Sequence, residues 1–181
     1  GIEGKIAAIK YARENKIPYF GVCLGMQISV IEFARNVLGM QDADSTEMNE
    51  TTKYPVIDLM EEQKGITNMG GTMRLGSYAC EVKKGSKLYD AYQSELINER
   101  HRHRYEFNDK YLNKFIEKGM KPIGINPDTG LVEAMELENH PWYVGVQYHP
   151  EYSSTVLRPN PLFIAFVKAC INKSEENKKG V

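Results

Sequence analysis

Apolar positions change their period along this chain, and the changes mark its elements. Ile2, Ile6 and Ile9 fall at i, i+4 and i+7 with Ala8 and Ala12 beside them, predicting a helix that stops at Asn15-Lys16, before Ile17-Pro18. A natural domain rarely opens inside a helix, so Gly1 is not expected to be the original N-terminus. A short apolar β-prone run then ends at Cys23. An amphipathic helical pattern follows at once, with apolar Met26, Val30, Phe33, Ala34, Val37 and Leu38, and stops at Gly39. Gln41 to Asn49 is polar, Pro55 to Met60 reads as a short strand and Glu61 to Met69 as a loop. Gly70-Gly71 leads into Thr72 to Gly76, and Tyr78, Cys80 and Val82 then alternate with smaller or polar residues, as in a hairpin exposed on one face.

The second half is read the same way. Ser86 to Gln93 is a short helix and Arg100 to Asn108 a polar strand. The helix after it has Asp109 near its start, apolar Tyr111, Leu112, Phe115 and Ile116, and Gly119 as its stop. Strands at Pro122 to Ile125 and Leu131 to Leu137 are joined by the turn Asn126 to Gly130. Asn139-His140-Pro141 turns the chain into the apolar run Trp142 to Gln147. Ser153 to Pro161 is irregular, Leu162 to Ile171 is an apolar helix, and a charged, frayed tail begins at Asn172. The alternation predicts an α/β fold: a mostly parallel central sheet flanked by helices, with antiparallel additions, and reactive groups at the carboxyl ends of its strands.

Composition narrows the class. At 181 residues, 41% hydrophobic and 26% charged, the chain has the size and balance of one globular domain. A formal charge of −1 gives no reason to expect nucleic acid or an anionic membrane as partner. No apolar run reaches the roughly 20 residues of a membrane span, and no signal peptide opens the chain. Three widely spaced cysteines, Cys23, Cys80 and Cys170, argue against a disulfide framework and for a reducing compartment, with the cytoplasm as default. Cys80 and Cys170 read as structural.

Candidate chemistry centres on Gly21-Val-Cys23-Leu-Gly25-Met-Gln27. A thiol on a sharp strand-to-helix turn is strained towards positive φ, with glycine at the crowded positions two residues to either side. The turn lifts the sulfur clear of the sheet and aims N–H groups of the helix start at it, favouring a thiolate and an adjacent oxyanion. The simpler alternative is a buried structural cysteine. His149 ends the later apolar run and Glu151 follows two residues on, which supplies a base and a group to orient it. Cysteine elbow and His-Pro-Glu together resemble the class I, or triad, glutamine amidotransferases. The resemblance implies Cys23 as nucleophile, His149 as general base and acid, and Glu151 as orienter.

The run Arg100-His101-Arg102-His103-Arg104, read as a strand, puts both histidines on one face and the arginines on the other. A metal site would need further ligands at short spacing, and none is apparent; phosphate binding, or pairing of the arginines with Glu99 and Glu106, are alternatives. Glu99 to Glu106, Gly70 to Gly76 and Ser45-Thr46-Glu47 together resemble the glutaminase domains of the CTP synthase family, over nearly the whole chain. That resemblance implies L-glutamine as substrate, with contacts at Leu24, Gly25, Met26, Gln27, Glu47 and Arg104. The chemistry agrees, since a zwitterionic amino acid needs an anion for its ammonium and a forked cation for its carboxylate.

The resemblance also implies a partial amidotransferase domain at 1–172 with a tail at 173–181. It lacks the opening strands, the glycine-rich loop giving the second oxyanion donor, and the N-terminal synthetase domain. By family, no cofactor belongs to this domain; ATP, UTP and magnesium belong to the synthetase domain, GTP is an allosteric activator, and the whole protein is a homotetramer. Alternative readings are a γ-glutamyl hydrolase and a catalytically silent domain that binds glutamine or a partner.

Overall fold

The computed structural model describes residues 1–59 and 73–179. Helix α1 (Ile2–Glu14) leads into strand β1 (Tyr19–Val22) and helix α2 (Leu24–Asn36). Two short strands follow, β2 (Ala43–Ser45) and β3 (Tyr54–Leu59), then β4 (Arg74–Val82), α3 (Lys87–Tyr92), β5 (Leu96–His103) and β6 (Tyr105–Phe107). The chain closes with α4 (Leu112–Glu117), β7 (Met120–Ile125), β8 (Val132–Leu137), β9 (Tyr143–Val146) and α5 (Pro161–Lys179).

The α/β class is as expected, but the sheet is mixed rather than mostly parallel. Among the described residues the six-stranded sheet runs β1-β9-β8-β7-β4-β5, and only β1 and β9 pair in parallel. The reason is connection length. Parallel neighbours need a crossover, whereas β7, β8 and β9 are joined by turns of a few residues and must form antiparallel pairs. In the first of these turns Asn126 Oδ1 accepts from the N–H groups of Asp128 and Thr129, and Gly130 takes φ +74°. A second sheet, β2-β3-β6, sits beside the first.

Helices cover both faces of the large sheet. On one face α1, α2 and α4 enclose Ile6, Ile9, Ile28, Ile31, Phe33 and Phe115 with Val132 and Met135 of β8. On the other, α3 and α5 cover Cys80, Ile123, Val144, Val146 and Tyr148 through Leu88 and Leu162. Instead of being amphipathic, α2 is buried on every side from Met26 to Ala34, because β9, α1 and the small sheet surround it. Its one carboxylate in that stretch, Glu32, is fully buried and receives three contacts from the Arg13 guanidinium at 2.8–3.2 Å, tying α2 to α1.

Three further expectations change. The polar strand 100–108 breaks at Arg104: β5 pairs with β4, while β6 leaves for the second sheet and pairs with β3. The proposed hairpin is a β4·β5 pair with α3 between its strands, and Gly70, Gly71 and Thr72, with the loop Glu61 to Met69 and the final residue of the strand Pro55 to Met60, lie outside the described residues. Helix α5 continues to Lys179 rather than ending at Ile171. Lysine and glutamate are good helix formers, and Lys178 and Lys179 suit the negative end of the helix dipole.

Candidate active site

Cys23 stands between β1 and α2 with φ +49° and ψ −104°, a strained backbone for a residue with a side chain. A Cβ added at Gly21 would lie 2.7 Å from the Gly25 carbonyl carbon and 2.8 Å from the Met26 nitrogen, so the tight turn requires glycine there. Gly25 is less constrained, since a Cβ would meet only Tyr19 Oη at 3.5 Å. Tyr19 Oη in turn donates to the Gly25 carbonyl at 2.8 Å, bracing the elbow.

Parallel pairing brings the second half of the site alongside. Val22 is in register with Val146, and the Cys23 N–H donates to the Val146 carbonyl at 2.8 Å. The thiol and the segment Gln147 to Glu151 therefore share the carboxyl end of two adjacent strands. The His149 N–H donates to the Arg100 carbonyl of β5 at 2.8 Å. Its Nδ1 lies 2.6 Å from Glu151 Oε1, so the ring proton belongs on Nδ1 and Nε2 is left as the base. Glu151 rides on a 3₁₀ turn, Pro150–Ser153, that is anchored from below. Buried Glu99 accepts from Ser153 Oγ at 2.9 Å, Asn160 Nδ2 at 2.8 Å and Tyr92 Oη at 2.6 Å.

Burial pushes the Cys23 thiol up to about 11; the Leu24 N–H and the Gln147 amide favour the thiolate, and the charges of Glu151 and Glu106 oppose it. At neutral pH the thiol thus needs a base at the moment of reaction, the part that the His149–Glu151 pair is built to play.

A cavity of about 250 Å³ opens over the thiol, lined by Cys23, Leu24, Gln27, Glu47, Met73, Arg102, His103, Arg104 and Tyr105. Glu47, just after β2, and Arg104, at the break between β5 and β6, bring opposite charges to one cavity. Met26 is different: its side chain is buried beneath Gly145, where a Cβ would lie 2.9 Å from Met26 Cγ, so only its backbone is available to a ligand. The Gln27 amide is also buried and occupied, donating to the Tyr105 carbonyl at 2.9 Å. Sequence reasoning missed Gln147, His103 and Tyr105 as site residues. The signal for the last two was their adjacency to Arg104.

Behind the cavity lies a buried polar cluster. His101 and His103 do share the inward face of β5, with Arg100 and Arg102 exposed on the other. His101 Nδ1 and His103 Nε2 are 2.8 Å apart. Arg74 bridges Glu133 at 2.6 Å and Glu106 at 3.3 Å, so among the described residues Glu106 pairs with Arg74, and Glu99 with Tyr92 and Asn160, where pairing with the strand's own arginines was an alternative. Burial, and then the Arg74 charge, hold His101 down to about 2 and His103 down to about 3, while burial pushes Glu106 up to about 8. Among the described residues no group of three or more His, Cys, Asp or Glu side chains is placed to hold a metal ion, and no helix is long and apolar enough to cross a membrane.

Comparison with known proteins adds to this geometry. Residues 1–169 match the profile of the family described as glutamine amidotransferase class-I. CTP synthase of Bacteroides fragilis is 65% identical over 173 residues, which cover 96% of this chain and 32% of that protein. CTP synthase of Flavobacterium johnsoniae is 60% identical over 172 residues, covering 95% and 32%. The chain spans about a third of the length of these relatives. Among solved structures, the glutaminase domain of Trypanosoma brucei CTPS with bound acivicin superposes with a TM-score of 0.89 at 38% identity, covering 95% of this chain and 67% of that one. A putative GMP synthase protein from Thermoplasma acidophilum, at 15% identity and TM-score 0.62, covering 97% and 68%, shares the fold.

Proposed function

The chain belongs to the class I glutamine amidotransferases, and from that membership we propose that it hydrolyses L-glutamine to glutamate and ammonia through Cys23, His149 and Glu151. The observation that carries this reading is the strained Cys23 elbow beside a His149–Glu151 pair 2.6 Å apart, on adjacent parallel strands.

In the first half-reaction His149 Nε2 takes the Sγ proton and the sulfur attacks the side-chain amide carbon of glutamine. The tetrahedral oxyanion lies at the start of α2, where the Leu24 N–H is one donor; loss of one such donor costs roughly 10² to 10³ in rate in a well-studied protease. The protonated His149 then gives its proton to the departing ammonia, leaving a γ-glutamyl thioester on Cys23. In the second half a water loses its proton to His149 and attacks the thioester, releasing glutamate and restoring the thiol. Glu151 keeps the imidazole in one tautomer and stabilises its protonated form. Glu47 takes the substrate ammonium and Arg104 its carboxylate, with Leu24, Gly25, Met26 and Gln27 forming the floor; Gly25 and Met26 act through their backbone.

The relatives named CTP synthase suggest what the ammonia is for. In the parent protein it aminates UTP to CTP in a synthetase domain using ATP and magnesium, with GTP as activator, in a cytoplasmic homotetramer. No residue of this chain is assigned to those ligands.

The test is mass spectrometry of the chain after incubation with acivicin, a glutamine-mimicking electrophile. One covalent addition is expected, absent from Cys23→Ala. Unlabelled wild-type protein, or equal labelling of the variant, overturns the reading.

A further inference from the structure

Gln147 is a buried polar residue that the mechanism above leaves unused, although its side chain reaches the reacting atom. It is fully buried just beyond β9, and its Nε2 stands 3.6 Å from Cys23 Sγ. Which end of the amide faces the sulfur follows from its neighbours. The Tyr105 carbonyl can only accept a hydrogen bond, so the Gln27 group 2.9 Å from it is the NH₂ end. That same NH₂ donates to Gln147 Oε1 at 3.2 Å. Turning Gln147 over would set two NH₂ groups against each other and an oxygen against the sulfur. One backbone carbonyl of β6 thus determines, through two buried amides, that an N–H points at the thiol.

We propose that Gln147 is a further catalytic residue, whose amide N–H stabilises the Cys23 thiolate, and that Gln27 is the positioning residue that holds it in that orientation. A donor facing sulfur binds the thiolate more strongly than the thiol, because the bond becomes charge-assisted when the proton leaves. The Gln147 amide itself is fully buried, which strengthens the difference. It offsets part of the burial and of the Glu151 and Glu106 charges that push the thiol up to about 11. No bond to Gln147 forms or breaks: the proton passes from Sγ to His149, and the amide remains a donor throughout.

The proposal rests on Cys23 being the nucleophile, but its test needs no glutamine. Iodoacetamide alkylation of the Cys23 peptide is followed by mass against pH in the wild-type chain, in Gln147→Met and in Gln27→Met. Methionine keeps the length of the side chain, and in Gln147→Met the Gln27 amide retains its Tyr105 acceptor. Gln147→Met should react about tenfold more slowly at pH 8, with the apparent thiol pKa about one unit higher. Gln27→Met should shift the same way by less. Folding of each variant is checked by thermal melting, and if Gln147→Met does not fold, Gln27→Met decides on the same criterion. A folded variant with lower melting temperature and an unmoved alkylation profile would mean packing alone, and overturns the proposal. Wild-type glutamine turnover is read separately: a shifted profile without turnover removes the glutaminase reading and leaves this one, and turnover with an unshifted profile does the reverse.

Discussion

A carboxylate and a guanidinium facing one small cavity make a demand that can be measured on single side chains. If Glu47 and Arg104 hold the zwitterion as proposed, Glu47→Gln and Arg104→Met each remove a charge-assisted contact worth about 1.5–3 kcal/mol. Each should raise the KM for glutamine by about tenfold or more. The groups that act on the Cys23 thiol are Leu24, Gln147, Glu151 and Glu106, so iodoacetamide alkylation of Cys23 should stay at the wild-type rate in both variants; an unchanged KM in both would remove these residues from the substrate site. Both were legible in sequence only through motifs, because Glu47 follows a three-residue strand and Arg104 sits in a run of charges with no pattern of its own. Gln147 was not legible. A glutamine at the end of an apolar strand carries no sign of which neighbour it meets, and its partners Cys23 and Gln27 are 124 and 120 residues away.

Elements depend on a few close approaches. At the β1–α2 elbow, Gly21→Ala would place a methyl group 2.7–2.8 Å from backbone atoms that cannot yield independently. A loss of about 2–3 kcal/mol is expected, seen as a lower urea midpoint. Gly25→Ala should be neutral or stabilising by up to about 1 kcal/mol, since it adds a methyl in ordinary contact to the first turn of a helix. Equal losses at both positions would contradict this account of the turn. Most elements were readable from periodicity and stop residues: α1, α2, α3, β7 and β8 lie close to where the pattern put them. The break at Arg104 was not, because β5 and β6 continue one alternation. What separates them is pairing with β4 on one side and β3 on the other.

Across the whole molecule the buried cluster behind the cavity ties stability to pH. His101 and His103 are held near 2 and 3 in the folded chain, against an ordinary 6.5, so their contribution is present above pH 6.5 and lost as pH falls towards 3. Glu106 is held near 8 against an ordinary 4.5, so its contribution is present below pH 4.5 and lost as pH rises through 8. Arg74, Glu133 and Asp109 face this carboxyl, and burial raises Glu133 in the same direction. Unfolding free energy should therefore decline from pH 6.5 to 8, by at most about 1.4 kcal/mol per pH unit for each carboxyl. Glu106→Gln should flatten that limb in a urea titration, and an unaltered slope would remove Glu106 as its cause. By itself the sequence determined the α/β class, the cysteine elbow and the His-Pro-Glu turn, because strand period, helix period and turn chemistry act over a few neighbouring residues. Only the tertiary structure decided the mixed sheet, the cavity between Glu47 and Arg104, and the amide chain behind Cys23. These depend on which strands pair and which buried groups meet, and no local pattern encodes contacts across a hundred residues.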